Sequence, residues 1–337
     1  MGILLVVFLG GLLSLLVGSW LIRKSKRFGL IDMPNERSSH FRPTPKGGGL
    51  GIVVGALAVV FGMHFFDFPL LYGKYLTITL GAVAISVIGL YSDRTHIPAL
   101  IRIILQIVVA AAVVFALGIL PSIDILGFNV NLSFLLPFFI VLWVVSLTNF
   151  YNFMDGIDGL TAIQAIAVGC FFVFFGFISK EVNLIPIGIA ICAPTAGFLI
   201  LNYPPAKIFM GDVGSYFLGF YIAFMAITHE QLLVPTVIVS GVFVFDTVIT
   251  LIRRAIKGES WYKAHKSHFY QRAIGLGYSH GQVTGALSLV FVLLMVLACV
   301  YLRSATVLKI IVSFSAIAVL SALSLWVTFK EKEKKCY

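Results

Sequence analysis

Asp155 and Asp158 stand three positions apart in NFYNFMDGIDGL, residues 149–160, beside Asn149, Asn152, Gly156 and Gly159. On a helical turn that spacing puts two carboxylates on neighbouring faces, and the glycines allow close backbone approach or a helix break. Carboxylates in an apolar setting are expensive unless paired, hydrated or metal-bound, so a site is the stronger reading and a polar helix end the weaker one. Asn149 and Asn152 add donors and acceptors suited to a base or ribose, without naming a substrate. In FMGDVGSYFLGF, Asp212 lies among Gly211, Gly214 and Ser215. Two readings of it stay open: a helix cap, or a ligand for Mg2+ (or Mn2+), a hard cation that takes carboxylate oxygens and keeps waters and phosphates. In KAHKSHFYQR, His265 and His268 sit among Lys263, Lys266 and Arg272. That setting suits a diphosphate better than zinc, which would need further ligands; for the lysines a solvated loop is the better reading. RSSHFRPTPKGGGLGI places Lys46 before Gly47, Gly48 and Gly49 at a helix start, where unpaired N–H groups suit a phosphate. The spacing is neither a Walker A motif nor a dinucleotide fingerprint. Asp93 in YSDRTHIP and Asp246 in FVFDTVITLIRR complete the set. Asp246 lies inside an apolar run about two turns before Arg253, and both are expected at the substrate. Asp67, Asp124, Glu181 and Glu230 carry no assigned role, and His64, His96, His229 and His280 show no evident partners.

Oil must position these groups. Of the 337 residues 60% are hydrophobic and 11% charged, against roughly a quarter charged in soluble domains. Apolar runs near the ~20 residues needed to cross a bilayer recur throughout. The pattern predicts an all-α, polytopic helical bundle forming one domain over residues 1–337, with a short basic tail at 330–337. Eleven helices are expected, at 2–22, 47–66, 75–91, 100–119, 133–149, 159–178, 184–201, 214–229, 232–252, 282–302 and 307–329. The first run has no basic residue before it and RKSKR after it, the reverse of a cleaved signal peptide, so it reads as a retained span. Of the 24 lysines and arginines, all but Lys74, Lys180, Arg303 and Lys309 fall in one alternate set of loops. The positive-inside rule makes that set cytoplasmic, with the N-terminus out and the C-terminus in. Every polar cluster then faces the cytoplasm. Cys170, Cys192 and Cys299 lie in apolar runs, and no CxxC spacing occurs.

Together, RSSHFRPTPKGGG, NFYNFMDGIDGL, FMGDVGSYFLGF and KAHKSHFYQR, in this order and on one side, resemble the polyprenyl-phosphate N-acetylhexosamine-1-phosphate transferases of glycosyltransferase family 4. The resemblance covers nearly the whole chain. It implies attack by undecaprenyl phosphate on the β-phosphorus of a UDP-N-acetylamino sugar, release of UMP, and a requirement for Mg2+ or Mn2+. By position it implies Asp212 as metal ligand and Lys46 near the phosphates. Asn149, Asn152, Asp155 and Asp158 would line the nucleotide and catalytic pocket, and His265 and His268 would match the family's histidine-rich loop. Asp93, Asp155, Asp158, His265 and His268 form the expected catalytic set. The partners so implied are the UDP-sugar, undecaprenyl phosphate and the inner-membrane bilayer, with no nucleic acid; a homodimer is left open. Two features depart from the family: Ser92 stands where an aspartate usually precedes Asp93, and AHKSH replaces a denser histidine run. The AHKSH form resembles the branch that starts O-antigen-like polysaccharides on N-acetylated deoxyhexosamines. A phosphate monoester is mostly dianionic at neutral pH, so the acceptor needs charge neutralisation more than a base. Asp93 is then expected to orient the metal site or a lysine, and the displacement to be direct. The rival readings are an integral membrane prenyltransferase, which lacks its paired aspartate-rich repeats here, a transporter, and an inactive relative.

Overall fold

Each of the eleven apolar runs is helical, but they do not make eleven equal spans. The computed structural model describes residues 1–34, 42–95, 97–118, 122–130, 135–259 and 265–336. Its helices are α1 (Gly2–Phe28), α2 (Gly49–His64), α3 (Gly73–Thr95), α4 (Ala99–Leu117), α5 (Leu136–Met154), α6 (Leu160–Ser179), α7 (Leu184–Asn202), α8 (Gly211–Met225), α9 (Leu233–Val239), α10 (Gly241–Ile256), α11 (Phe269–Gly275), α12 (His280–Leu302) and α13 (Thr306–Cys336). Two short antiparallel ribbons join them: β1 (Ile31–Asp32) with β2 (Thr44–Pro45), and β3 (Ile123–Ile125) with β4 (Phe128–Val130). Among the described residues eight helices are long and apolar enough to cross a membrane, or nine if α9 and α10 count as one bent span. The chain is thus an all-α polytopic membrane bundle with eight or nine candidate spans.

The difference from eleven has a physical origin in α2 and α8. Helix α8 has 15 residues, about 22 Å at ~1.5 Å per residue, against a hydrocarbon core of about 30 Å. Every residue from Val213 to Met225 is buried. A helix that is apolar all round is packed on all sides by protein, and α8 is enclosed by α2, α3 and α5. Helix α2, with 16 residues, lies against α1, α7 and α8. Neither has to match the thickness of lipid.

The ninth run is broken at Ser240, where α9 and α10 bend by 79°. A break frees backbone carbonyls that an apolar interior cannot satisfy. Fully buried Gln164 on α6 meets this need, its Nε2 donating to Val239 O at 2.9 Å. At one end of the bundle the β3–β4 ribbon is tied down by Lys309 Nζ on Asp124 Oδ1 at 3.1 Å and by Leu126 N–H donating to Tyr301 OH at 2.9 Å. Lys74, Lys180 and Arg303 share that end. Among the described residues the other lysines and arginines gather with the polar clusters at the opposite end. There residues 330–336 continue α13 as helix, and Arg272 of α11 pairs with Glu331 and Thr328.

Candidate active site

The start of α8 organises the site. Gly48 and Gly49 N–H donate to Phe209 and Met210 carbonyls at 2.9 Å each, and Phe209 N–H donates to Pro45 O at 2.8 Å. This zips the segment around Lys46 onto the strand-like lead into α8. A Cβ on Gly49 would collide with Gly214, and one on Gly89 of α3 would lie 2.5 Å from the Asp212 carbonyl oxygen. Only glycine at these points lets α2, α3 and α8 meet. The expected phosphate cradle at Gly48 and Gly49 is therefore corrected: those amides already have acceptors.

Asp93 caps α8. Its Oδ1 accepts from Asp212 N–H and its Oδ2 from Val213 N–H, both at 3.2 Å, with Lys46 Nζ 3.9 Å from Oδ1. A carboxylate on two N-terminal amides is the arrangement that the helix dipole favours. The two readings of Asp212 separate here, because Asp212 does not cap its own helix. Its Oδ1 accepts from Asn152 Nδ2 at 2.7 Å. Its Oδ2 accepts from Ser92 Oγ at 2.8 Å and Arg102 Nη1 at 2.9 Å. Ser92 thus supplies a hydrogen bond where an aspartate would bring a second negative charge against Asp212. Asn152 also reaches Ser215 Oγ at 3.1 Å. Asn149 lies one turn deeper, donating to Gln106 Oε1 at 2.6 Å and Val145 O at 2.7 Å, and touches none of the carboxylates.

Asp155 follows α5 and lies near Thr161 and the Gly211 backbone. Burial pushes its carboxyl well above the usual range, and the nearby Asp212 and Asp93 carboxylates push the same way. Among the described residues Asp155 enters no ion pair. A buried carboxylate without a cation, crowded by two others, fits a divalent ion made of hard charge. Asp155 and Asp212 offer the oxygens. No group of three His, Cys, Asp or Glu is preassembled as a metal cage among the described residues, which suits an ion that completes its shell with water and phosphate.

Asp158 faces the neighbouring loop. Its Oδ2 accepts from Ala206 N–H at 3.0 Å, its Oδ1 lies 3.2 Å from His280 Nδ1, and its carbonyl accepts from Thr284 Oγ1 at 2.8 Å. His280, expected without a partner, has one, as does His229, 4.0 Å from Glu181.

The histidine loop is built by Asp246. This residue is 4% exposed, and its Oδ1 meets His268 Nδ1 at 3.0 Å and Phe269 N–H at 3.0 Å. Tyr270 N–H donates to Oδ2 at 3.3 Å. Asp246, expected at the substrate, has its oxygens engaged by the start of α11. Arg253, also expected there, donates from Nη2 to Ser267 O at 2.6 Å and its guanidinium lies over Phe269. Both position the loop. Tyr270 joins this loop to the carboxylates through its OH, which donates to Phe153 O at 2.9 Å. The His265 and His268 rings are 4.9 Å apart. Burial, then the His268 ring and Arg254, pushes His265 down to about 4. At neutral pH it is an uncharged hydrogen-bonding group.

The structure therefore brings together Lys46, Asp93, Asn152, Asp155 and Asp212, with Asp158 and the His265–His268 loop on its flanks and Asn149 beneath. Residues 35–41, His96 and Lys263 lie outside the described residues. The sequence reading gave no role to Arg102, Tyr216 or Tyr270, met Ser92 only as a departure, and left His280 without a partner. Arg102 had a signal: it is a cation inside the apolar run ALIRIILQ, with Gln106 four residues on, and intramembrane charge marks function.

Comparison with known proteins agrees with this picture. Residues 75–230 match the profile of "Glycosyl transferase family 4". Over 315 residues the chain is 29% identical to the "Probable undecaprenyl-phosphate N-acetylglucosaminyl 1-phosphate transferase" of Bacillus subtilis (strain 168), covering 90% of this chain and 86% of that one. It is 30% identical over 297 residues to the decaprenyl-phosphate N-acetylglucosaminephosphotransferase of Mycobacterium tuberculosis (strain ATCC 25618 / H37Rv), covering 77% and 72%. Similarity extends to the phospho-N-acetylmuramoyl-pentapeptide-transferase of Streptococcus uberis (strain ATCC BAA-854 / 0140J), 27% over 293 residues, covering 77% and 82%.

Proposed function

The chain belongs to glycosyltransferase family 4, the enzymes that transfer N-acetylhexosamine 1-phosphate to polyprenyl phosphate, and on that premise we propose how this one works and where. The donor is a UDP-N-acetylamino sugar, the acceptor undecaprenyl phosphate and the leaving group UMP. The reaction is the first membrane step of a lipid-linked envelope polysaccharide of O-antigen type. The relatives' names favour N-acetylglucosamine as the sugar, while the AHKSH loop favours a deoxyhexosamine. The single observation that carries the reading is the convergence on Asp212 of Asn152 from α5, Ser92 from α3 and Arg102 from α4. The basic bias of that end of the bundle supports a cytoplasmic site. It also supports the eleven-segment topology with the N-terminus out and the C-terminus in, α2 and α8 being shorter segments within protein.

Members of the family typically need Mg2+. Asp212 and Asp155 would hold it, and bound there it supplies positive charge against the diphosphate. The chain's own groups do the rest. Lys46 and Arg102 add positive charge beside the carboxylates, where two anionic reactants must meet. Asp93 holds α8 and Lys46 in place and has its acceptor capacity engaged, so it is no base for a phosphate already ionised. His268, fixed by Asp246, lies on the flank with neutral His265 beside it.

An apolar groove of about 790 Å³ runs between α4 and α5, lined by Ile103, Ile107, Ala111, Phe115, Val141 and Val145. Its lining begins one residue after Arg102 and ends one turn before Asn149. The prenyl chain lies there, with its phosphate at Arg102. Ala111→Trp fills the groove and is expected to raise the KM for undecaprenyl phosphate about tenfold with the UDP-sugar KM unchanged; an equal rise in both would refute the placement.

Purified protein with Mg2+, undecaprenyl phosphate and a panel of UDP-N-acetylamino sugars is expected to release UMP with one or two of them. No release with any sugar refutes the proposal. Because displacement is direct, labelled UMP is expected not to exchange into UDP-sugar when lipid phosphate is absent, and exchange would instead reveal a covalent enzyme phosphate.

A further inference from the structure

Arg102 is paired in a way that a purely structural arginine would not be. It enters the site from α4, is part-buried, and meets Asp212 Oδ2 through Nη1 at 2.9 Å. The same Nη1 donates to Tyr216 OH at 3.1 Å. Nε is buried and has no partner among the described residues. A guanidinium forks naturally around a carboxylate or phosphate with two parallel bonds, yet here one nitrogen serves two acceptors while Nε faces none. A buried, unsatisfied N–H of a charged group is costly. On Asp212 the oxygen that Arg102 occupies also receives Ser92 Oγ, and the other oxygen receives Asn152. Three donors thus converge on this carboxylate, two on Oδ2 and one on Oδ1, and Arg102 is the only one of the three that is a cation.

We infer that Arg102 is a latch: it holds the place on Asp212 that a divalent cation takes, and loading the site releases its guanidinium to a phosphate oxygen of the acceptor. The inference rests on Asp212 being a metal ligand. Charge balance is its physical core. With Asp93, Asp155 and Asp212 close together, a site without any cation would carry strong repulsion, and Arg102 offsets it. A divalent ion on the same carboxylate makes the arginine redundant there and repels it. The released guanidinium then has a fork to fill, beside the inner end of the α4–α5 groove. Tyr216 anchors the waiting position. An enzyme so built exposes its phosphate-binding arginine only when the ion is present, which makes ion and acceptor bind in an ordered, mutually reinforcing way.

The test is Mn2+ binding by the purified full chain, followed by electron paramagnetic resonance without any sugar nucleotide. Arg102→Met is expected to bind Mn2+ at least about tenfold more tightly than the parent, although its turnover falls. Tyr216→Phe changes no charge and removes only the anchor, and is expected to tighten Mn2+ by a few fold; this separates a latch from mere loss of a positive neighbour. In the parent, Mn2+ is expected to strengthen binding of farnesyl phosphate about tenfold, with most of that coupling lost in Arg102→Met. Unchanged or weaker Mn2+ binding in both variants, or coupling that survives in Arg102→Met, overturns the latch while leaving the transferase reading standing. A parent that binds no Mn2+ at all overturns the assignment of Asp212 beneath it.

Discussion

Asp212→Asn is expected to lower UMP release by about a thousandfold or more, equivalent to about 4 kcal/mol of transition-state stabilisation, with little change in thermal unfolding. Both halves follow from geometry. Asparagine has the same shape, and its single oxygen can still accept from Ser92 and Arg102. Its amide nitrogen, however, turns a donor toward Asn152 Nδ2, and the negative charge facing Arg102 is gone. A site that works by neutralising phosphate charge loses the residue on which its cations converge. The fold is spared because α8 is capped by Asp93, not by Asp212. Rates of UMP release alongside melting curves in the same detergent check this. A variant keeping more than a tenth of its activity would show that Asp212 is peripheral.

Asp246→Asn is expected to behave differently: about a hundredfold loss of activity together with a measurable fall in melting temperature. The native carboxylate accepts from Phe269 and Tyr270 N–H, from Thr250 and from the His268 ring. A carboxamide has one acceptor atom, so at least one N–H of α11 would face another donor in a buried place. Helix α11 has only 7 residues and cannot hold itself without such outside partners. Its displacement moves His268 and withdraws Tyr270 from Phe153 O. Activity and stability are expected to fall together here, in contrast to Asp212→Asn. If Asp246→Asn lost activity at unchanged melting temperature, a direct substrate contact would be the better account.

Much of the architecture could be read from local sequence because a membrane imposes a local rule. An apolar run of sufficient length must be helical, so all eleven segments were legible from composition. Their inequality was not, because whether a run faces lipid or protein is a tertiary fact. Val213 to Met225 resemble any other span until α2, α3 and α5 are seen around them. The site divides in the same way. Asp155, Asp158 and Asp212 announce themselves by sitting with glycines and amides in short polar runs. Their partners arrive from far along the chain: Arg102 lies 110 residues from Asp212, Ser92 120, and His280 122 from Asp158. Asp246 shows the converse case. A buried aspartate near the site was legible, but its role as an anchor for backbone amides depends on a loop that folds back over it.

The full burial of α8 has a mechanical consequence. A rod wedged against neighbours around its whole circumference has no direction in which to slide or turn without opening voids, so the wall carrying Asp212 is stiff. The arm that carries Asp246, α10, leaves an elbow at Ser240, where Gln164 Nε2 holds the Val239 carbonyl. A reactant of different bulk is therefore not accommodated by shifting the rod, and tolerance for a different sugar should evolve on the hinged arm long before it could arise on α8.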